Sequence, residues 1–383
     1  MHPLRELSLA DLRRRTSIKW RMHDPDVIPM FVAEMDVPLA EPVARSLADA
    51  VALGDTGYPQ PRVYAEALAS FAADRWGWHG LDPDATLDVA DVMVGVEEVL
   101  RLTGDRDVPV VLNPPVYPPF FDAVRHVGRP VVEVPLADDG RLDLAGLAEA
   151  FAEHPGATYL LCSPHNPTAV VHSHDELATV ARLAAEHRVR VVVDEIHAPL
   201  APVDADAGAF VPYLSVDGTD DAYAVLSASK AFNLAGLKAA VVVGGAATDA
   251  ERASVPEIVS HGPSHLGTIA HVAALTDGRE WLDALQADVA ANRALLQELV
   301  AAHLPGARAI AGPGTYTAWL DLRALDLGPD PAAVLLERAR VALAPGPTFG
   351  GGSRVGDGFA RLTYATPPDV LREALDRLGR AFA

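Results

Sequence analysis

The middle of the chain alternates short, largely apolar runs with longer stretches in which apolar residues recur every three or four positions. The runs lie at residues 108–112, 158–162, 189–193, 222–226 and 239–243. A strand that is apolar without alternation is covered on both faces, as in parallel sheets sandwiched between helices. The alternation holds from about residue 90 to 245 and predicts an α/β unit. One intervening helix, 175–187, opens on Ser173-His174-Asp175-Glu176, with Ser and Glu at capping-box spacing. His172 and His174 are therefore read as flanking a helix start, not as metal ligands, and no metal is expected. Beyond residue 281 the pattern changes. Helical stretches at 281–303 and 331–340 surround strands at 317–322 and 361–364, predicting a smaller α+β domain. The first 40 residues show little periodicity. The expected division is a large domain at 41–280 and a small one from 1–40 with 281–383.

Composition narrows the possible partners. Half of the 383 residues are hydrophobic and only 6% are aromatic, so Ala, Val and Leu must fill a large core. The net charge of −21 argues against a nucleic-acid partner, which needs basic surface to displace counterions. No run of about 18 apolar residues suggests a membrane span. Arg13-Arg14-Arg15 is followed by no apolar signal region. The single cysteine, Cys162, excludes an internal disulfide and reads as a small core residue, consistent with a reducing cytoplasm.

Lysine is scarce: of 31 basic residues only Lys19, Lys230 and Lys238 are lysine. Arginine stays protonated near neutral pH and cannot act as an amine nucleophile, so a retained lysine is a candidate for chemistry. Lys230 follows the run at 222–226. Asn166 and Asp194 also stand just beyond strands, 28 and 36 residues apart from one another and from Lys230 in turn. Ligands bind beyond the carboxyl ends of strands in such sheets, so the three can meet. An amine, a carboxylate and an amide at one site point to pyridoxal phosphate. The amine condenses with its aldehyde, the carboxylate keeps its ring nitrogen protonated, and the amide donates to its phenolic oxygen. For the phosphate, Val94-Gly95-Val96 reads as a glycine turn into a helix that begins with Glu97-Glu98, both expected to point away. Ser227, Ser229 and Lys238 supply hydroxyls and a second amine. Lys19 reads as structural.

The motifs Ser163-Pro164-His165-Asn166-Pro167, Asp194-Glu195-Ile196-His197 and Ser227-Ala228-Ser229-Lys230-Ala231-Phe232-Asn233 resemble those of fold-type I pyridoxal-phosphate enzymes of the class I/II aminotransferase superfamily. The His after Asp-Glu-Ile, with Phe31-Val32-Ala33-Glu34-Met35-Asp36 and Gly358-Phe359-Ala360-Arg361-Leu362, resembles the cystathionine β-lyase-like C–S lyases of MalY/PatB type. The resemblance implies a mostly parallel seven-stranded sheet between helices, plus the smaller domain. It implies that Lys230 bonds the cofactor aldehyde and Asp194 pairs with its ring nitrogen. Asn166 and His197 would flank the phenolic oxygen, and Tyr117 would stack on the ring. Gly95, Val96, Ser227 and Lys238 would hold the phosphate. Tyr58 would reach that phosphate from the partner of a homodimer with shared sites, and Arg361 would clamp the carboxylate of an amino acid substrate. The family's Gly-Arg after Asn-Pro is absent: Thr168-Ala169-Val170 follows here. The implied reaction is β-elimination from cystathionine or a related cysteine conjugate. An aminotransferase is the alternative, and a regulatory protein keeping the fold is a further one.

Overall fold

The computed structural model describes residues 1–203 and 208–381; the expected domain end at 383 lies outside them. β1 (Ile28–Pro29) belongs to the N-terminal segment. The central strands are β2 (Thr86–Val89), β3 (Val110–Leu112), β4 (Val131–Glu133), β5 (Thr158–Cys162), β6 (Arg190–Asp194), β7 (Tyr223–Leu226) and β8 (Ala240–Gly244). They form one seven-stranded sheet in the order β2-β8-β7-β6-β5-β3-β4. Every residue of β5, β7 and β8 is buried, as uninterrupted apolar runs require.

One expectation needs correction. The run at 239–243 reads like its predecessors, but β8 is antiparallel to both β7 and β2. A parallel return needs a crossover, usually a helix. The segment between β7 and β8 instead stays at one end of the sheet as a loop. That loop carries Lys230 and Lys238. The strand starting at Val108 is also shorter than expected. Pro109 has no N–H for a ladder, and the Val108 N–H closes a turn on the Asp105 carbonyl at 3.1 Å.

The helix His174–His187 has the full capping box, with Ser173 and Glu176 satisfying each other's backbone. Leu177, Val180, Ala181 and Ala184 recur on its buried face, and it ends at Arg188 in the left-handed region.

A four-stranded antiparallel sheet, order β12-β13-β10-β9, is formed by β9 (Arg308–Ile310), β10 (Thr317–Asp321), β12 (Ala344–Pro345) and β13 (Phe359–Thr363). Preceding β12, β11 (Val341–Ala342) pairs in parallel with β1. The N-terminal segment is pinned further by Lys19, which is buried and donates to Asp36 at 2.8 Å, while Trp20 Nε1 donates to the same carboxylate at 3.0 Å. Lys19 is thus structural. Removing one partner of such a buried pair costs about 3–5 kcal/mol.

Candidate active site

The ends of β5, β6 and β7 lie level. Cys162 pairs with Asp194, and Asp194 with Val225. The residues that follow therefore open onto one edge of the sheet, where a cavity of about 320 Å³ lies. Asn166, Asp194 and Lys230 meet there, as their spacing predicts. Tyr117, His197, Ser227, Lys238 and Arg361 line the same cavity.

Asp194 is fixed by the Ile196 N–H, which donates to Oδ1 at 2.9 Å. Burial lifts its carboxyl to about 7, only partly opposed by that bond and by the charge of Lys230. Lys230 faces the cavity but is enclosed elsewhere, and its Nζ donates to the Ala33 carbonyl at 2.9 Å. Removal from water, then repulsion by Arg361, lowers its ammonium to about 8. A sizeable fraction is thus neutral amine just above neutral pH.

Arg361, on β13, is buried. Nη1 donates to Asn166 Oδ1 at 3.2 Å and Nη2 to the Phe31 carbonyl at 2.6 Å, and the guanidinium lies over the Phe349 ring. None of these partners is anionic, so the cation lacks a counter-charge in its own contacts, and burial lowers it to about 10. Because Arg361 occupies Asn166 Oδ1, the Asn166 amide nitrogen is left to donate. His197 Nδ1 bonds the Thr315 hydroxyl at 2.9 Å, and burial with the nearby cations holds the imidazole neutral.

The Lys230 loop is braced at several points. The Ala228 N–H donates to the Tyr64 hydroxyl at 2.8 Å, which also meets His271 Nδ1 at 2.8 Å. Asn233, at φ +58°, clasps Met35 with both ends of its amide, accepting from N at 2.8 Å and donating to O at 3.0 Å. Ser227 donates to the Ala239 carbonyl at 2.9 Å and accepts from the Ser229 N–H at 3.1 Å.

The other end of the cavity differs from expectation. The helix begins at Val92 with Asp91 as N-cap, so Gly95 and Val96 lie inside it and do not line the cavity. A Cβ on Gly95 would sit 2.9 Å from Val225 and 3.0 Å from Val242, so this glycine serves close packing of helix on sheet. Asp91, Val92 and Met93 take the cavity position instead. Glu97 and Glu98 face Arg101 and do not line the cavity. Lys238 Nζ pairs with Asp91 Oδ2 at 2.7 Å.

Tyr58 does not reach the cavity of its own chain. It is 85% exposed, beside the His261 ring. That surface borders the Lys238 end, since the Ser264 N–H donates to the Lys238 carbonyl at 2.8 Å. Where the Gly-Arg pair is missing, Ala169 adopts φ +58°, keeping a left-handed turn at a cost of about 1–2 kcal/mol. Cys162 is buried, and its Sγ lies 3.4 Å from the Pro164 carbonyl.

Sequence reasoning missed Asp91, Tyr64, His271 and Thr315. For Asp91 the signal was present: an acid three residues before a backbone N–H that needs a cap. The partners of the other three are remote in sequence.

A model of the aminotransferase class I and II family matches residues 35–378. The chain is 49% identical to a Mycobacterium leprae protein named "Putative cystathionine beta-lyase", over 99% of this chain and 98% of that one. It is 29% identical to the cystathionine beta-lyase PatB of Bacillus subtilis, over 94% and 93%. Cystalysin from Treponema denticola, whose crystal structure contains pyridoxal 5'-phosphate, superposes with a TM-score of 0.89 at 25% identity, covering 100% and 98%.

Proposed function

The chain belongs to the class I and II aminotransferase family, and we propose that within it the protein is a pyridoxal-phosphate-dependent C–S β-lyase. It cleaves cystathionine or a related cysteine S-conjugate, with water, to a thiol, pyruvate and ammonium. The observation that carries this reading is the convergence in one cavity of an amine, a buried carboxylate and a guanidinium with no anionic partner in its contacts. It gains weight from the 49% identity to a protein named as such a lyase.

The donor set fits the cofactor. Asp194, its carboxyl lifted to about 7, forms no direct ion pair among the described residues, and a protonated ring nitrogen would supply one. Lys230 would hold the aldehyde, Asn166 and His197 the phenolic oxygen, and Tyr117 the ring face. The helix start at Val92, with Ser227, Ser229 and Lys238, would hold the phosphate. Held there by these residues, pyridoxal phosphate would supply an aldehyde for the substrate amine and a sink for the electron pair of the Cα–H bond.

The chain's own residues do the rest. Arg361 grips the substrate carboxylate and so orients the Cα–H bond. Lys230 Nζ, as neutral amine, takes the Cα proton. Asp194 holds the proton on the ring nitrogen.

A homodimer completes this reading. Tyr58, Ile258, Leu53 and Val51 are exposed, a pattern that fits coverage by a second copy. Tyr58 would then serve the partner's phosphate site. The chain divides into a large domain, 41–280, and a small one, 1–40 with 281–383. No helix among the described residues is long and apolar enough to cross a membrane, and the lone buried cysteine supports a reducing cytoplasm.

The test is pyruvate release from L-cystathionine without added keto acid. Release with stoichiometric thiol is expected. Amino-group transfer that requires a keto acid would replace the lyase reading with an aminotransferase.

A further inference from the structure

Asp91 sets a negative charge at the end of the cavity where the phosphate would bind. Its two oxygens have separate tasks: Oδ1 accepts the Val94 N–H at 2.9 Å, capping the helix, and Oδ2 accepts Lys238 Nζ at 2.7 Å. The cap fixes the carboxylate beside the lysine, so it cannot swing away without exposing a helix N–H. Lys238 is the cationic side chain lining this end, and its charge is already matched by Asp91. The hydroxyls of Ser227 and Ser229 are neutral.

We infer that Asp91 is a built-in counter-anion for Lys238, competing with the cofactor's phosphate and so setting how tightly the cofactor is held. This rests on the cofactor reading above. An arriving phosphate must share Lys238 with a carboxylate and approach it as a like charge. The protein therefore holds the cofactor less firmly than its other contacts would allow. The effect acts on the phosphate alone and leaves recognition of the ring unchanged.

The experiment uses cofactor-free protein, titrated separately with pyridoxal 5'-phosphate and with pyridoxal, which lacks the phosphate. Binding is followed by absorbance and by quenching of protein fluorescence. Asp91→Asn and Asp91→Ser both keep a capping oxygen and remove the charge, so the helix start survives in at least one of them. Both are expected to bind pyridoxal phosphate roughly tenfold tighter, as befits loss of one half-exposed like charge at close range. Affinity for pyridoxal stays unchanged. Unchanged or weakened binding of pyridoxal phosphate in both folded variants overturns the inference, because Asp91 would then be organising Lys238. A wild-type protein that binds pyridoxal phosphate no better than free lysine does overturns the cofactor reading itself, and the inference with it.

Discussion

Tyr64 donates its hydroxyl proton to His271 Nδ1 across 2.8 Å. The direction follows from the neighbours. The Leu237 carbonyl can only accept, so His271 Nε2, 2.9 Å away, carries the ring proton and Nδ1 is bare. The Tyr64 oxygen in turn accepts the Ala228 N–H. Burial lowers His271 to about 4, so this neutral arrangement persists through physiological pH. The pair thus ties Ala228 and Leu237, on either side of Lys230, to two helices.

Tyr64→Phe strands the Ala228 N–H and His271 Nδ1 together in the interior. At about 1–3 kcal/mol for an unsatisfied buried group, a loss of roughly 2–4 kcal/mol is expected in urea unfolding. Turnover should fall as well, because the lysine loop loses its brace. A stability change within about 0.5 kcal/mol would mean that the hydroxyl carries no such weight.

Lys230→Arg keeps a positive charge and removes the amine. Since a guanidinium neither condenses with an aldehyde nor gives up its proton at neutral pH, pyruvate release should drop by at least roughly a thousandfold. The absorbance band of aldehyde-bound cofactor should vanish. A persisting band would assign the bond to another amine.

Arg361→Lys retains charge but loses the two-pronged fork. The Michaelis constant for L-cystathionine should rise about 10- to 100-fold, the worth of one or two charge-assisted hydrogen bonds. An unaltered Michaelis constant would remove the carboxylate from this residue.

Glu195 is buried and, among the described residues, accepts only the Tyr213 N–H at 2.8 Å and has its second oxygen unpartnered. Burial raises its carboxyl from 4.5 to about 8. The folded state therefore holds a proton that the unfolded chain releases near pH 4.5, so this group's contribution to stability falls as pH rises from there toward 8. Glu195→Gln cannot ionise. Relative to wild type it should gain roughly 2 kcal/mol or more on going from pH 5 to pH 8, read from unfolding midpoints. A pH-independent difference would show that Glu195 ionises normally.

Tyr58→Ala and Lys230→Ala proteins, each inactive alone, should regain about a quarter of wild-type sites when unfolded and refolded together, if sites are shared across a twofold dimer. No recovery would confine each site to one chain.

Much of the site was legible because strand ends are legible. Asn166, Asp194 and Lys230 each follow an apolar run, and a parallel sheet gathers such positions on one edge. The error at Gly95 has the same root in reverse. A glycine near a helix start reads as a turn, yet here Asp91 starts the helix and the glycine serves packing. The direction of β8 was hidden because burial on both faces looks alike in parallel and antiparallel strands. The Tyr64–His271 brace was hidden because its partners are separated by 207 residues, and no local pattern records such a contact.

The hold of Arg361 on the Phe31 carbonyl has a consequence for the timing of synthesis. During translation, residues 28–36 leave the ribosome early, but their anchors are Asn233, β11, Arg361 and the Ala365 carbonyl that receives the Asp36 N–H. At ordinary elongation rates that wait lasts roughly tens of seconds. A nascent chain can already own Asp194, Lys230 and the Ala33 carbonyl that receives the lysine, while the segment bearing that carbonyl still lacks its anchors at β11, Arg361 and Ala365. Competence therefore arrives late and all together, when nearly the whole chain has emerged.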